Sequence, residues 1–230
     1  MEPRTYLHLQ LRLEGKEVFK ECFLRQVEVV PDEEVPFMLI AQMANQELVV
    51  YYDEALSSKL QKELAASISD VQFPNVDSLV DILKKHNFQC EAGHYKTYVF
   101  PSTPGNDKEV LCLSKQDSRV KAFGFEGFAQ HVYAIERNGK LVSACVSTRE
   151  NDRCGEAWVY TDPDFRNQGF AQQVVRTWAR SLMEAGKVPF YSHKIENAAS
   201  ANLAHRLGLQ PVFEEIAIAH ADESETTHLN

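Results

Sequence analysis

Apolar residues recur along this chain with two different spacings. From Thr5 to Leu13, Leu7, Leu9, Leu11 and Leu13 alternate with His8, Gln10 and Arg12. A period of two with one oily face predicts a half-buried strand, while a helix also stays open for this segment. Cys22 to Val30 is a mixed apolar run closed by Pro31-Asp32-Glu33-Glu34. Phe37 to Met43 is apolar, and Leu48 to Tyr52 has the β-branched and aromatic content of a short buried strand. The spacing then lengthens. Leu56, Leu60, Leu64 and Ile68 predict a helix over Glu54 to Ile68. Val76, Leu79, Val80 and Leu83 predict a second over Val76 to His86, capped by Asn75 or Asp77. Tyr95 to Phe100 reads as a strand.

Pro101-Ser102-Thr103-Pro104-Gly105-Asn106-Asp107 carries turn formers and no apolar anchor, which marks it as a linker. Beyond it, Glu109 to Leu113 predicts a short strand and Ser114 to Gln130 short, irregular helices. Val132 to Val146 is two apolar runs around Asn138-Gly139, the pair that suits a hairpin turn with positive φ at both central residues. Ala157 to Thr161 predicts a strand and Phe170 to Ala185 an amphipathic helix stopped by Gly186. Val188 to Ser192 follows as a strand, Asn197 to Leu207 as a helix closed by Gly208, and Val212 to Ala219 as a last strand. The expected class is α/β, a mixed central sheet flanked by helices and preceded by a smaller N-terminal α/β region. The expected division is 1–105, 106–220 and a flexible polar tail, 221–230.

The chemistry concentrates in Glu156 to Ala171. Asp162-Pro163-Asp164 breaks the strand, because proline fixes φ and cannot donate into a ladder. Arg166-Asn167-Gln168-Gly169-Phe170-Ala171 then opens the helix. A helix N-terminus has free N–H groups and a positive dipole end, and a glycine there lets backbone approach phosphate oxygens. The pattern predicts an anion site.

Composition narrows what that anion belongs to. The chain has 230 residues, 44% hydrophobic and 25% charged, the balance of an ordinary globular protein. Five scattered cysteines, none spaced C-x-x-C, point to reduced thiols, no structural zinc and a cytoplasmic setting. Eight histidines show no ligand spacing, so no metal is expected. No window reaches a membrane span's length of ~20 apolar residues, and Met-Glu-Pro-Arg-Thr-Tyr-Leu-His lacks the parts of a secretory signal. A net charge of −9 argues against a nucleic-acid partner. Through Val110 there are 18 acids against 11 bases, and beyond it 15 against 13. That bias is compatible with a cationic substrate, and equally with a surface kept soluble.

Strand, R-x-x-G-x-A, helix, strand, a short helix opening at Asn, then Leu-Gly-Leu: this order resembles the GNAT superfamily of acyl-CoA-dependent N-acetyltransferases. The resemblance rests on Thr161 to Ala171, supported by Tyr191-Ser192, Asn197, Ser200 and Arg206-Leu207-Gly208-Leu209, and runs from Glu109 to Ala219. It implies acetyl-CoA as co-substrate and a small-molecule or peptide amine as acceptor, with the protein a monomer or homodimer. Carried over, the amides of Gln168, Gly169, Phe170 and Ala171 hold the pyrophosphate, beside Arg166 and Asn167. Val159, Tyr160 and Thr161 pair with the pantetheine arm where their strand parts from Val188 to Ser192. Asn197 and Ser200 cap the last helix and touch the pantetheine or the thiol end. The N-terminal half would contribute to the acceptor site or to a dimer contact.

The chemistry so implied is direct acetyl transfer to a primary amine. Glu156 stands where several members carry a general base, on the strand face of Trp158 and Tyr160. The alternative is a surface glutamate paired with Arg149 or Arg153. Members often protonate the departing thiolate with a tyrosine, and here Ala204 occupies that position. Ser200, His205, Tyr191, Ser192 and water stand in for it, or the thiolate leaves unaided. That absence also leaves open a non-catalytic acyl-CoA-binding sensor or structural module. Phe123, Phe125 and Phe128 are either core or the lining of an acceptor cleft, with core favoured.

Overall fold

The computed structural model describes residues 1–30, 33–68, 74–105, 107–127 and 131–221. In chain order the first elements are α1 (Pro3–Leu13), β1 (Lys16–Phe19), β2 (Phe23–Gln26), β3 (Met38–Met43) and β4 (Leu48–Asp53). Then come α2 (Ser58–Ala66), α3 (Val76–Lys85), β5 (Cys90–Val99), β6 (Leu111–Ser114), α4 (Ser118–Phe123) and β7 (His131–Arg137). The chain closes with β8 (Lys140–Glu150), β9 (Cys154–Thr161), α5 (Phe170–Glu184), β10 (Val188–Lys194), α6 (Ala198–Arg206) and β11 (Gln210–His220). These contacts form two compact units, Met1–Tyr95 with the segment from Phe213, and Lys96–Val212. The bounds set by sequence, 1–105 and 106–220, follow a local turn-rich segment, whereas these divisions fall within β5 and β11.

In the first unit β3 pairs antiparallel with β4 and, on its other side, with β11 from Phe213↔Met43 to Ile218↔Met38. β2 runs parallel to β4 and antiparallel to β1. Leu56, Leu60, Leu64, Leu79 and Leu83 from the α2–α3 region bury against Met38, Ile40, Ile216 and Ile218. Thr5 to Leu13 is helical, not a strand. Leucines at every second position also stand four apart, so Leu7 with Leu11 and Leu9 with Leu13 stack on a helix. Pro3 in the first turn favours that choice.

The second unit is a mixed sheet. β6, β7, β8 and β9 follow one another antiparallel, and β10 joins β9 in parallel. Asn138 and Gly139 turn the β7–β8 hairpin with φ of 52° and 77°. Helix α5 packs on one face, burying Val174, Val175, Trp178, Ala179 and Leu182 with Ile135, Val142 and Cys145. α4 covers the other, with Val120 and Phe125 against Val132, Ala134, Ala144 and Val146. The segment expected as a linker is held at two points: Asp107 accepts from Arg176 Nε at 3.0 Å, and Arg180 donates to the Pro104 carbonyl oxygen at 3.4 Å. Phe125 is core and Phe123 packs against it; Phe128 and the tail beyond Ala221 lie outside the described residues.

Candidate functional site

β9 and β10 pair from Val188↔Cys154 to Phe190↔Glu156 and no further, although β9 continues to Thr161 and β10 to Lys194. On its opposite edge β9 stays paired with β8 as far as Ser143↔Thr161. The strands therefore part on one side only, and an extended ligand carrying amides can pair with the edges they leave.

The loop after β9 is held in a particular shape. Asp162 accepts from the Asp164 N–H at 3.0 Å within a 3-10 turn, Pro163–Phe165. Arg166 Nε reaches back to the Thr161 carbonyl oxygen at 3.2 Å. Asn167 and Gly169 both take positive φ, 62° and 81°, a region that asparagine and glycine tolerate best. Gly169 is the N-cap residue of α5. The N-termini of α2, α3, α4 and α6 are capped by the side chains of Ser57, Asn75, Asp117 and Asn197. That of α5, like that of α1, receives no side-chain cap. Its first-turn N–H groups, with the positive dipole end, are left for an outside acceptor.

These elements enclose a cleft of about 520 Å³. It is lined by Val159, Tyr160 and Thr161 of β9, by Arg166, Asn167, Gly169, Phe170 and Ala171, and by Asn197 and Ser200. Gln168 alone of the expected cofactor contacts is not on the lining. Ala199, Asn202, Leu203 and Arg206, which sequence reasoning did not place there, present one face of α6 to the same space. Their spacing of three, four and seven is the signal that would have found them. Among the described residues that line the cleft, Arg166 and Arg206 are charged and none is acidic. In a chain of net charge −9 this is a local inversion of sign.

Glu156 sits on the last rung between β9 and β10. It is 5% exposed, and its Oε2 accepts from Arg149 Nε at 3.1 Å and Nη2 at 2.5 Å. A register shift in β8 between Ser147 and Arg149 brings Arg149 opposite it. The carboxylate is thus buried and paired, and it is not on the cleft lining. Along its strand, Trp158 and Tyr160 lie against Phe125 and Phe123, with ring centroids 4.6 and 5.6 Å apart.

Tyr191 follows the last rung on β10 and lines the cleft while 2% exposed. Burial pushes its phenol up to about 12, against a smaller opposing effect of a hydrogen bond with the Ser200 side chain. Ser200 is itself fixed by its N–H, which donates to Asn197 Oδ1 at 3.0 Å. Ala204, at the expected tyrosine position, is 1% exposed in the same buried cluster as Tyr191. Among the described residues no three His, Cys, Asp or Glu gather as a metal site, and no helix is long and apolar enough to cross a membrane.

A strand that parts from its neighbour, a loop with two positive-φ residues and an uncapped helix opening on a basic cleft together make a site with the shape and charge for an extended anionic ligand. The GNAT acetyltransferase family model matches residues 16–217, so the chain belongs to that family. The match reaches well into the N-terminal region, where the residues themselves carried little resemblance. The chain is similar to an uncharacterized N-acetyltransferase, YdfB, of Bacillus subtilis (strain 168), at 32% identity over 95 residues, 41% of this chain and 35% of that protein. It thus spans about a third of that relative's length. Solved structures similar to it include a putative GNAT acetyltransferase from Novosphingobium aromaticivorans at 16% identity, covering 58% of this chain and 69% of that one, TM-score 0.49. Another is a GNAT-family acetyltransferase from Colwellia psychrerythraea at 12% identity, covering 84% of each chain, TM-score 0.49.

Proposed function

We propose that this protein moves the acetyl group of acetyl-CoA directly to a primary amine. The observation that carries the proposal is the α5 N-terminus, left without a side-chain cap at one end of a cleft whose charged lining residues are both arginines. The amides of Gln168, Gly169, Phe170 and Ala171 take the pyrophosphate, with Arg166 and Arg206 supplying positive charge. The main chain of Val159, Tyr160 and Thr161 takes the pantetheine amides, and Asn197 with Ser200 closes the α6 side.

Acetyl transfer needs an amine that has lost its proton and a stabilised oxyanion. Glu156 is the proposed base by position, at the point where the strands part. Its Oε2 is already engaged by the Arg149 guanidinium, and the side chain lies off the cleft lining. That ion pair favours a second reading, an acyl-CoA-binding protein without turnover.

Thiol release from acetyl-CoA over a panel of small amines and short peptides, alongside calorimetric titration with acetyl-CoA, tests both. Thiol release that depends on an amine supports transfer. Binding without release from any amine supports the second reading, and no binding of acetyl-CoA removes both.

A further inference from the structure

β9 turns two different faces to its surroundings. Ala157 and Val159 pack into the core with α5. Trp158 and Tyr160 point the other way and stay 41% and 40% exposed. Among the described residues no other phenylalanine, tyrosine or tryptophan is as exposed. Resting on the acetyl-transfer reading above, we infer that Trp158 is the platform on which the acceptor lies. The acceptor is then a primary amine joined by a short arm to an aromatic ring, and that ring stacks on the indole.

The first support is how the two rings are held. Their cross-strand neighbours on β8, Val146 and Ala144, are fully buried in the cluster that α4 covers. The cover ends at β9. Phe125 and Phe123 meet Trp158 and Tyr160 from the α4 side and lie 5.0 Å from each other, centroid to centroid. The planes of Trp158 and Phe125 are 35° apart, and Phe125 is 1% exposed. The indole therefore rests against a buried ring, fixed in orientation, while much of its surface meets solvent. A ring fixed in this way loses little rotamer freedom when a ligand stacks on it.

The second support is place. Glu156, Trp158 and Tyr160 share one face of β9. Glu156 marks the last rung with β10, and Tyr160 lines the cleft, so Trp158 stands between the end of the strand pairing and the cleft. A thioester on an arm paired along Val159 to Thr161 ends at that apex. The attacking nitrogen has to come within about 3–3.5 Å of its carbonyl carbon. The next side chain on the same face stands ~6.5–7 Å along the strand, within reach of a two-carbon arm that ends in a six-membered ring. The third support is charge. The charged residues of the cleft lining are both arginines, and Oε2 of Glu156 is engaged by Arg149. Selection among amines thus falls to the ring faces, and an aromatic ring takes the offset-stacked and edge-to-face arrangements that a saturated ring of the same size does not.

The test compares 2-phenylethylamine with 2-cyclohexylethylamine, each titrated into the full chain saturated with CoA so that no acetyl group is present to react. The saturated ring buries at least as much apolar area, so a preference for the phenyl compound reports stacking. The wild type is expected to bind 2-phenylethylamine about 2- to 10-fold more tightly. Trp158→Leu, which keeps an apolar side chain and removes the ring, should lose that preference, and Trp158→Phe should keep part of it. Acetyl-CoA affinity should stay within a few-fold in all three. Acrylamide quenching places the ligand: the chain has two tryptophans, and Trp178 is 1% exposed, so 2-phenylethylamine should shield the quenchable signal of Trp158. Three results each overturn the inference while leaving the cofactor cleft in place, provided acetyl-CoA still binds. They are a wild type that binds neither amine or shows no preference, a preference that survives in Trp158→Leu, and binding that leaves Trp158 unshielded. Failure of the wild type to bind acetyl-CoA overturns the reading of the cleft, and this inference with it.

Discussion

Helix α5 has a cavity at each end, alike in size and opposite in character. The cleft at its N-terminus measures about 520 Å³, and one at its C-terminal half, lined by Trp178, Ser181, Leu182 and Ala185, about 480 Å³. The second is rich in polar groups, but they answer one another. Trp178 Nε1 donates to Ser147 Oγ at 2.9 Å, and Ser147 Oγ donates to Glu150 Oε2 at 2.5 Å. Lys187 Nζ reaches Glu150 Oε1 at 2.7 Å, and Tyr133 donates to Ser181 at 2.6 Å. Glu150 and Asp152 also bring negative charge to the negative end of the helix dipole. At the N-terminus the helix amides have no side-chain cap and the charge is positive. Volume does not distinguish the two; what each leaves for a ligand to satisfy does.

The largest effect expected from that contrast is on cofactor affinity. Reversing both cleft charges, Arg166→Glu with Arg206→Glu, removes two charge-assisted contacts worth ~1.5–3 kcal/mol each. Acetyl-CoA affinity should fall by at least about 100-fold. Lys187→Glu, the same change of sign at the other end of α5, should move it less than about twofold. Calorimetric titration decides, and equal losses at the two ends would show that general charge, not the site, sets affinity.

Next in size is Glu156→Gln. A general base is worth roughly 10²–10⁴ in turnover, so kcat should drop within that range while acetyl-CoA affinity holds. The substitution also deprives Arg149 of its ion-pair partner. With the Arg149 side chain 22% exposed, the stability cost should lie below the ~3–5 kcal/mol of a fully buried pair. Should Arg149→Met with Glu156→Leu restore stability while turnover was never affected by Glu156→Gln, the pair is structural.

How far these residues could be read from sequence depends on how local their signals are. The loop from Asp162 to Ala171 was legible because proline, asparagine and glycine each dictate backbone geometry at their own position. The hairpin at Asn138-Gly139 and the Asn197 cap were legible for the same reason, and the α3 cap was narrowed to Asn75 or Asp77. The partner of Glu156 was left open between Arg149 and Arg153, since the choice turns on a register shift in β8 that no local pattern encodes. The pairing of β3 with β11, strands from opposite ends of the chain, left no trace that a window could catch. At α1 the ambiguity was intrinsic: four leucines spaced by two fit a strand, and as two pairs spaced by four they fit a helix.

A smaller effect compares the phenols in the two cavity walls. Burial raises both Tyr191, to about 12, and Tyr133. A group whose folded pKa exceeds its unfolded value of ~10 favours the fold below that value, and its contribution is lost as pH rises towards the folded pKa. For Tyr191 the window runs from ~10 to about 12 and the loss approaches ~2–3 kcal/mol. Chemical denaturation across that window should show a shallower fall for Tyr191→Phe than for the wild type. An identical fall in both would mean that the Tyr191 phenol is not buried as described.

The smallest effect lies in the second cavity and asks whether its polar chain serves the fold or a ligand. Ser147→Ala leaves the Trp178 N–H, on a side chain only 1% exposed, without its acceptor. An unsatisfied buried donor costs ~1–3 kcal/mol, and Glu150, which also loses its bond from Ser147, adds little because it keeps Lys187. A loss of about 1–2 kcal/mol by urea denaturation is therefore expected, with acetyl-CoA affinity unchanged within about twofold. Arg206→Ala in the first cleft should show the reverse, a clear loss of affinity with stability within ~0.5 kcal/mol. If Ser147→Ala instead left stability intact, the Trp178–Ser147–Glu150–Lys187 chain would not be holding α5 to the sheet. Its groups would then be as available to a ligand as the amides at the other end of the helix.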